Sequence, residues 1–250
     1  MTNSTRKSRT PSKSGGRKAG APNPPLSRDS IIDAAIDLVN RDGSAGFSMR
    51  SLANHLGVYP TALYWHIGDR AELLSAIGAR WMTGIVPEYR LDDWETWARE
   101  TAHNYRTACH REPHVAHLLG SHILNDGGSV AIVEAMTAHL LAAGIPEDDL
   151  VHTYNALAGS IVGFVDIELA RPLSDTARSD AEELADLRDK INEDEHPHLL
   201  PRFNDFAGRA FSMRWTNGVT RPMDDTFDAL LDILLAGVRA RIPHSTTKKS

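Results

Sequence analysis

The stretch from Phe47-Ser48 to Gly68-Asp69 constrains the fold more than any other part of the chain. Ser48 suits an N-cap, where its hydroxyl can accept from a first-turn N–H, and Phe47 before it can pack on Leu52 as a hydrophobic staple. The helix so opened runs to about His55, and Gly57 supplies the left-handed residue at its end. Pro60 then fits the first position of a second helix, where its missing N–H would be unpaired anyway. Gly68 closes that helix after about seven residues. Two short helices joined by Gly57-Val58-Tyr59 and braced by a longer preceding one are the parts of a helix-turn-helix, here at residues 48–67. If Leu63 and Ile67 face inward, about 100° per residue turns Thr61 and Trp65 outward, with Ala62 and Tyr64 on the flanks. The same spacing also fits Trp65 packed against a neighbouring helix in a small helical subdomain.

On either side the signals stay helical. Ser27 can cap, Asp29 suits the positive end of the dipole, and Ile31, Ala34, Ala35 and Leu38 recur at helical spacing until Asp42-Gly43. Asp69 with Glu72 makes a variant capping box that launches a helix through Leu73, Leu74, Ile77 and Trp81 to about Ile85. Beyond Pro87 the pattern predicts helices over about 93–111, a broken segment 113–124, then 129–143, 147–170, 203–213 and 223–241. The acidic run from Ser179 to Glu195 suits a short solvated helix within a long loop. No alternating strand pattern stands out, so the expected fold class is all-α.

Composition narrows the setting. Apolar residues at 41%, with 18 glycines, exclude wholesale disorder. No stretch approaches the roughly 20 apolar residues of a membrane span, and the basic N-terminus lacks the apolar run of a secretory signal. Cys109 alone can form neither an internal disulfide nor a cysteine zinc site. A cytoplasmic protein with no membrane partner is expected, with Cys109 as a packed thiol. The net charge of −6 runs against nucleic-acid binding until its distribution is considered. Arg6, Lys7, Arg9, Lys13, Arg17 and Lys18 lie in residues 1–26 with no acid, leaving −12 on the remainder. That Ser-, Gly- and Pro-rich segment reads as a disordered basic arm, either solubilising or touching phosphates.

The segment SIIDAAIDLVNRDGSAGFSMRSLANHLGVYPTALYWHIGDRAELLSAI closely resembles the DNA-binding domain of the TetR family of bacterial repressors. The match is gap-free through FSMRSLANHLGV, LYWHI and the acid-started helix that follows, over about Ser27 to Trp81. The resemblance implies roles. Arg50 matches a position that reaches a base or phosphate, its planar fork suiting guanine. Thr61, Tyr64, Trp65 and His66 match recognition-helix positions that contact bases or backbone, although His66 could instead donate to the backbone near Gly68. Arg70 matches a phosphate-contacting residue, helped by the helix N-terminus. Ser48 and Pro60 complete the expected DNA-binding set. Pro60 stands where the tetracycline repressor uses a base-reading polar side chain, so a different operator is expected.

For the remainder, the family implies a helical domain that buries an inducer and dimerises through two late helices. The expected division is a basic arm 1–26, a DNA-binding domain 27–86, a ligand-binding and dimerisation domain 87–243 and a flexible tail 244–250. The last helix offers a stripe of Phe227, Leu230, Leu231, Leu234, Leu235 and Val238. The helix at 147–170 carries Ala156, Gly159, Ser160 and Gly163, which would let another helix approach closely. Gly159, Gly163, Phe227, Leu231, Leu234, Leu235 and Val238 are therefore the expected dimer interface, although the same stripe would serve a core within one chain. Trp94 and Trp97, LLGSHI at 118–123 and the closing LLAGVRARI resemble the tetracycline-repressor type of C-terminal domain. Val86, Thr101 and Tyr105 stand where that protein uses a His, an Asn and a Phe, which argues against tetracycline as the inducer.

His103, His110, His114, His117 and His122 raise the question of a metal site. Pro113 interrupts their helical spacing, and neither a metal nor a cofactor is expected. Tyr105, His117 and His122 are instead the candidate ligand-binding residues. The expected function is a homodimeric repressor whose recognition helices sit about 34 Å apart on a palindromic operator, released by a small-molecule inducer. One alternative is a metal-dependent hydrolase using the histidines, although the chain has no Gly-rich phosphate loop, nucleophile elbow or His-Glu-x-x-His helix. A nucleoid-associated DNA-binding protein without a discrete operator is the other.

Overall fold

Short polar caps set the register of the N-terminal helices. The computed structural model describes residues 25–120, 127–170 and 178–243; the tail, nearly all of the expected arm, and His122 lie outside them. Ser27 caps α1 (Arg28–Asp42) in a box with Ser30, and Ser48 caps α2 (Met49–Leu56) in a box with Ser51. The αL residue Gly57 ends α2, and Pro60 begins α3 (Pro60–Ile67) as its missing N–H allows. Asp69 accepts from the Glu72 amide at 2.9 Å to start α4 (Arg70–Met82). Gly68 has a φ of +73°, a backbone conformation that favours glycine, and the end of the flexible Glu72 side chain lies over it.

The body follows as α5 (Trp94–Arg111), α6 (Pro113–Gly120), α7 (Gly127–Ala142), α8 (Glu147–Leu169), α9 (Asp180–Asp189), α10 (Phe203–Phe206) and α11 (Asp224–Arg239). There is no strand among the described residues. The expected helix over 203–213 is reduced to the four-residue α10 between 3-10 turns, because Gly208, at φ +69° against the Trp215 ring, turns the chain out of helical geometry. α4 ends at Met82 rather than near Ile85.

One apolar core runs through both halves. Ile31, Leu52, Leu63, Leu73 and Ile77 from the N-terminal helices join Val115, Phe164, Phe227 and Leu231 from the body in a single cluster. α1 packs on α6 and α4 on α7, so the two halves are mechanically continuous. A second cluster gathers around Trp97, Met136, Leu140 and Leu157.

Polar groups lock α5 to the rest. The buried Arg106 guanidinium forks onto the fully buried Glu168 of α8 at 2.7 and 2.8 Å and reaches Asp224 at 2.8 Å. His110 and the Met223 amide supply further contacts to the same carboxylate. Glu95–Arg239, Arg99–Asp232, His103–Asp228 and Arg106–Asp224 form the rungs of an antiparallel ladder between α5 and α11. Buried His139 pins the α4–α5 connection: Nδ1 donates to the Ala135 carbonyl and Nε2 accepts from the Arg90 amide, while the ring stacks on Trp97 at 3.9 Å.

Candidate nucleic-acid interface and effector region

α3 presents its two faces to opposite environments. Leu63 and Ile67 are wholly buried, whereas Trp65 on the far side is 90% exposed. This is the disposition required by their spacing along about 100° per residue, and it rules out Trp65 as a core residue of a small subdomain. Ser48, Arg50, Pro60, Thr61, Tyr64, Trp65, His66 and Arg70 are all exposed. The Ser48 hydroxyl is engaged in capping α2, so its first task is structural. Arg50 has no carboxylate partner among the described residues. By contrast, Arg41 of α1 is paired with Asp42, and Arg80 of α4 with Asp29 and Asp33. Sequence reasoning missed Tyr59, 83% exposed in the turn immediately before α3. No periodicity distinguishes it, because Leu56, Ala62 and Leu63 stand at helical spacing from it.

The candidate ligand-binding residues fare unevenly. Tyr105 lies half-buried on α5, edge-on to Trp81 of α4 with centroids 5.8 Å apart. Burial pushes its phenol ionisation upward, and the neighbouring Cys109 thiol pushes it further. His117 is exposed on α6. What Tyr105 and His117 share is Asp166 of α8: its carboxyl is raised by partial burial, partly offset by the His117 charge, and its own field bears on Tyr105. Neither Asp166 nor Trp81 was singled out from the sequence, because their approach to α5 is a tertiary fact. The Trp81 Nε1 is buried with no hydrogen-bond partner among the described residues, an unusual state for an indole donor. Cys109 is 1% exposed and its thiol is pushed up to about 12 by burial, which leaves it a packed, unreactive group.

The histidines are dispersed. His103 faces Asp228 and His110 faces Glu168, and no group of three metal-ligating side chains assembles among the described residues. The acidic partners that the sequence did not fix come from α11 and α8.

The expected dimer stripe needs correction. Phe227, Leu231, Leu235 and Val238 are buried within the protomer, packed on α5 and α8, and Leu234 is half-buried between the two cores. Side chains already covered cannot supply area to a partner. The uncovered face of α11 is the other one, with Ile233 71% exposed and Ala236 and Gly237 beside it. Gly159 and Gly163 keep an open side on α8: a Cβ on either would meet nothing within 4 Å. α8 is also the one described helix long and apolar enough to cross a bilayer, yet only 28% of that stretch is buried in the protomer.

A capped helix-turn-helix with a bare reading face, fused to a helical body, defines the class of helix-turn-helix regulators. Residues 31–77 match the profile described as "Bacterial regulatory proteins, tetR family", and residues 86–242 match "Tetracyclin repressor-like, C-terminal domain". The chain belongs to the TetR family. It is 30% identical over 146 residues to an HTH-type transcriptional regulator of Saccharopolyspora erythraea, covering 58% of this chain and 62% of that one. It is 34% identical over 87 residues to the class D tetracycline repressor protein of Escherichia coli, covering 33% and 39%. The chain thus spans less than two thirds of the length of these curated relatives. Apo ActR of Streptomyces coelicolor shares the fold at a TM-score of 0.70 and 22% identity, over 88% of this chain and 98% of that one.

Proposed function

We infer that this protein is a ligand-responsive transcriptional repressor that binds a palindromic operator as a homodimer and is released by a small-molecule inducer. The observation that carries the reading is the exposed Trp65 on a helix whose opposite face is wholly buried, with Arg50 of the preceding helix lacking a carboxylate partner among the described residues. Free apolar area of that size on a short, fixed helix is stabilised when a partner covers it. Ser48, Pro60, Thr61, Tyr64, His66 and Arg70 surround it and complete the DNA-facing set. Residues 27–86 form the DNA-binding unit and 87–243 the sensing and dimerising unit, in a cytoplasmic protein.

The route from ligand to DNA follows the packing. Tyr105 touches Trp81, so a ligand seated against Tyr105 bears directly on α4 and through α4 on α3. His117 of α6 and His122, the latter outside the described residues, complete the candidate ligand-binding set. Only a ligand that binds one conformation better than the other can shift the balance; each tenfold preference is worth about 1.4 kcal/mol. Relatives of this fold have been solved with such partners: ActR with actinorhodin and BioQ with its double-stranded DNA operator.

Dimerisation uses the open faces of α8 and α11: Gly159, Gly163 and Ile233 at the contact, with half-buried Leu234 at its edge. The test is selection of bound genomic fragments by the purified protein, followed by sedimentation of the protein alone and on the recovered site. A palindrome bound by a dimer is the expected result. Equal retention of random and selected DNA at moderate salt would overturn it.

A further inference from the structure

The residues from Tyr59 to Ile67 include no Arg, Lys, Asn, Gln, Asp or Glu. The forked side chains that pair bidentately with guanine and adenine are therefore absent from the very helix that faces the groove. What projects instead is mostly apolar, with Tyr59 at 83% exposure, Pro60, the Thr61 methyl, Tyr64 at 49% and Trp65 at 90% beside the His66 imidazole and the Thr and Tyr hydroxyls. Thr61, Tyr64 and Trp65, spaced at i, i+3 and i+4, border one shallow, open stretch of surface. Tyr59 stands at the N-cap of α3, the end of a recognition helix that meets base edges. The major-groove edge of a base pair offers one apolar group, the C5-methyl of thymine.

We propose that Tyr59 and Trp65, with Thr61 and Tyr64 on the same exposed side of the chain, recognise thymine methyl groups. This rests on the DNA-binding reading above. Half-sites are thus selected by placement of thymines opposite α3, more than by bidentate hydrogen bonds. Tyr59 becomes a specificity residue outside the helix proper.

The experiment uses full-length protein and a selected operator in which the thymines of each half-site are replaced by deoxyuridine. The A·U pair keeps every hydrogen-bonding group and loses only the methyl. About a fourfold loss of affinity is expected for each methyl that the protein buries. One such methyl per half-site makes the dimer roughly fifteenfold weaker on the substituted operator. Trp65→Ala and Tyr59→Ala should each bind the native operator more weakly and show a smaller thymine-to-uracil ratio than wild type. Both side chains lie on the surface, so helicity and melting temperature should not change. Equal wild-type affinity for the two operators, with sequence preference retained, overturns the methyl reading and leaves DNA binding standing. A ratio unchanged in both variants also overturns it, since the sensitivity would then lie elsewhere. Loss of any preference for the operator over random DNA would count against the repressor reading itself.

Discussion

α3 and α11 are both amphipathic helices, and they dispose of their large side chains in opposite ways. On α11 the aromatic and branched residues Phe227, Leu231, Leu235 and Val238 turn inward, and the flanking Asp224, Asp228 and Asp232 meet Arg106, His103 and Arg99 of α5. On α3 only Leu63 and Ile67 turn inward, while Trp65 and Tyr64 stand in solvent, and Arg50 of α2 has no counter-charge among the described residues. The difference separates two uses of the same chemistry. Where hydrogen bonds, charges and apolar area are satisfied within the protomer, the residues hold the fold. Where they are left open on a rigid element, a partner completes them.

The strongest way to break that division is to remove a group from the satisfied side. Arg106→Ala leaves Glu168 buried with its main partner gone, and a loss of about 3–5 kcal/mol in urea unfolding is expected. The pH dependence follows from the same carboxylate. Burial raises its ionisation, but the hydrogen bonds from Arg106, His110 and the Met223 amide outweigh that and hold it at about 2. A folded value depressed below the unfolded one contributes stability that is whole above about pH 4.5 and is lost as pH falls from there towards 2. The amount is about 3 kcal/mol. Glu168→Gln should flatten that acid limb; an unaltered limb would show that another carboxylate carries it.

Next in size is a contrast within α11 itself. Leu231→Ala should cost about 2–5 kcal/mol of protomer stability through lost burial and a residual cavity. Ile233→Ala should leave the melting of the dissociated protomer within about 0.5 kcal/mol of wild type and instead raise the dimer dissociation constant in sedimentation equilibrium. If Ile233→Ala melts the protomer as Leu231→Ala does, the outward assignment of that face is wrong.

These two cases also mark what the sequence could tell. The helix-turn-helix was legible to within a residue because its determinants are local: Ser48 caps, Gly57 must reach αL, Pro60 sits where no N–H is needed, and Gly68 turns the chain at positive φ. The outward side of α3 followed from spacing alone. For α11 the stripe was visible but its destination was not, since a face at helical spacing looks the same whether it meets its own chain or another. The Arg106–Glu168 fork joins residues 62 positions apart, and no periodicity reports a contact of that separation. The break at Gly208 was missed because one glycine inside an otherwise helical pattern is often tolerated; here it turns against Trp215.

On the open side, Trp65→Ala should weaken operator binding by about 10- to 100-fold, corresponding to roughly 1.4–2.8 kcal/mol. Its circular dichroism and melting should match wild type, because nothing inside the protomer rests on the side chain. Arg70→Ala should weaken binding to all sequences about equally and lower the salt slope of log Kd by about 1, as loss of one phosphate contact does. Wild-type affinity in Trp65→Ala would place the reading surface elsewhere.

The smallest expected effect tests whether satisfaction within the protomer is itself graded by burial. His103 and Asp228 meet at 3.0 Å in the same α5–α11 ladder as Arg106, but both are substantially exposed. Solvent screens such a pair, so a double-mutant cycle with His103→Ala and Asp228→Asn should give a coupling of at most about 1 kcal/mol, shrinking further as salt rises. The Arg106–Glu168 cycle should give several times that value and be nearly indifferent to salt, because the two side chains are buried. Equal couplings in the two cycles would mean that the ladder acts as one network, with its exposed rungs carrying as much of the fold as the buried fork.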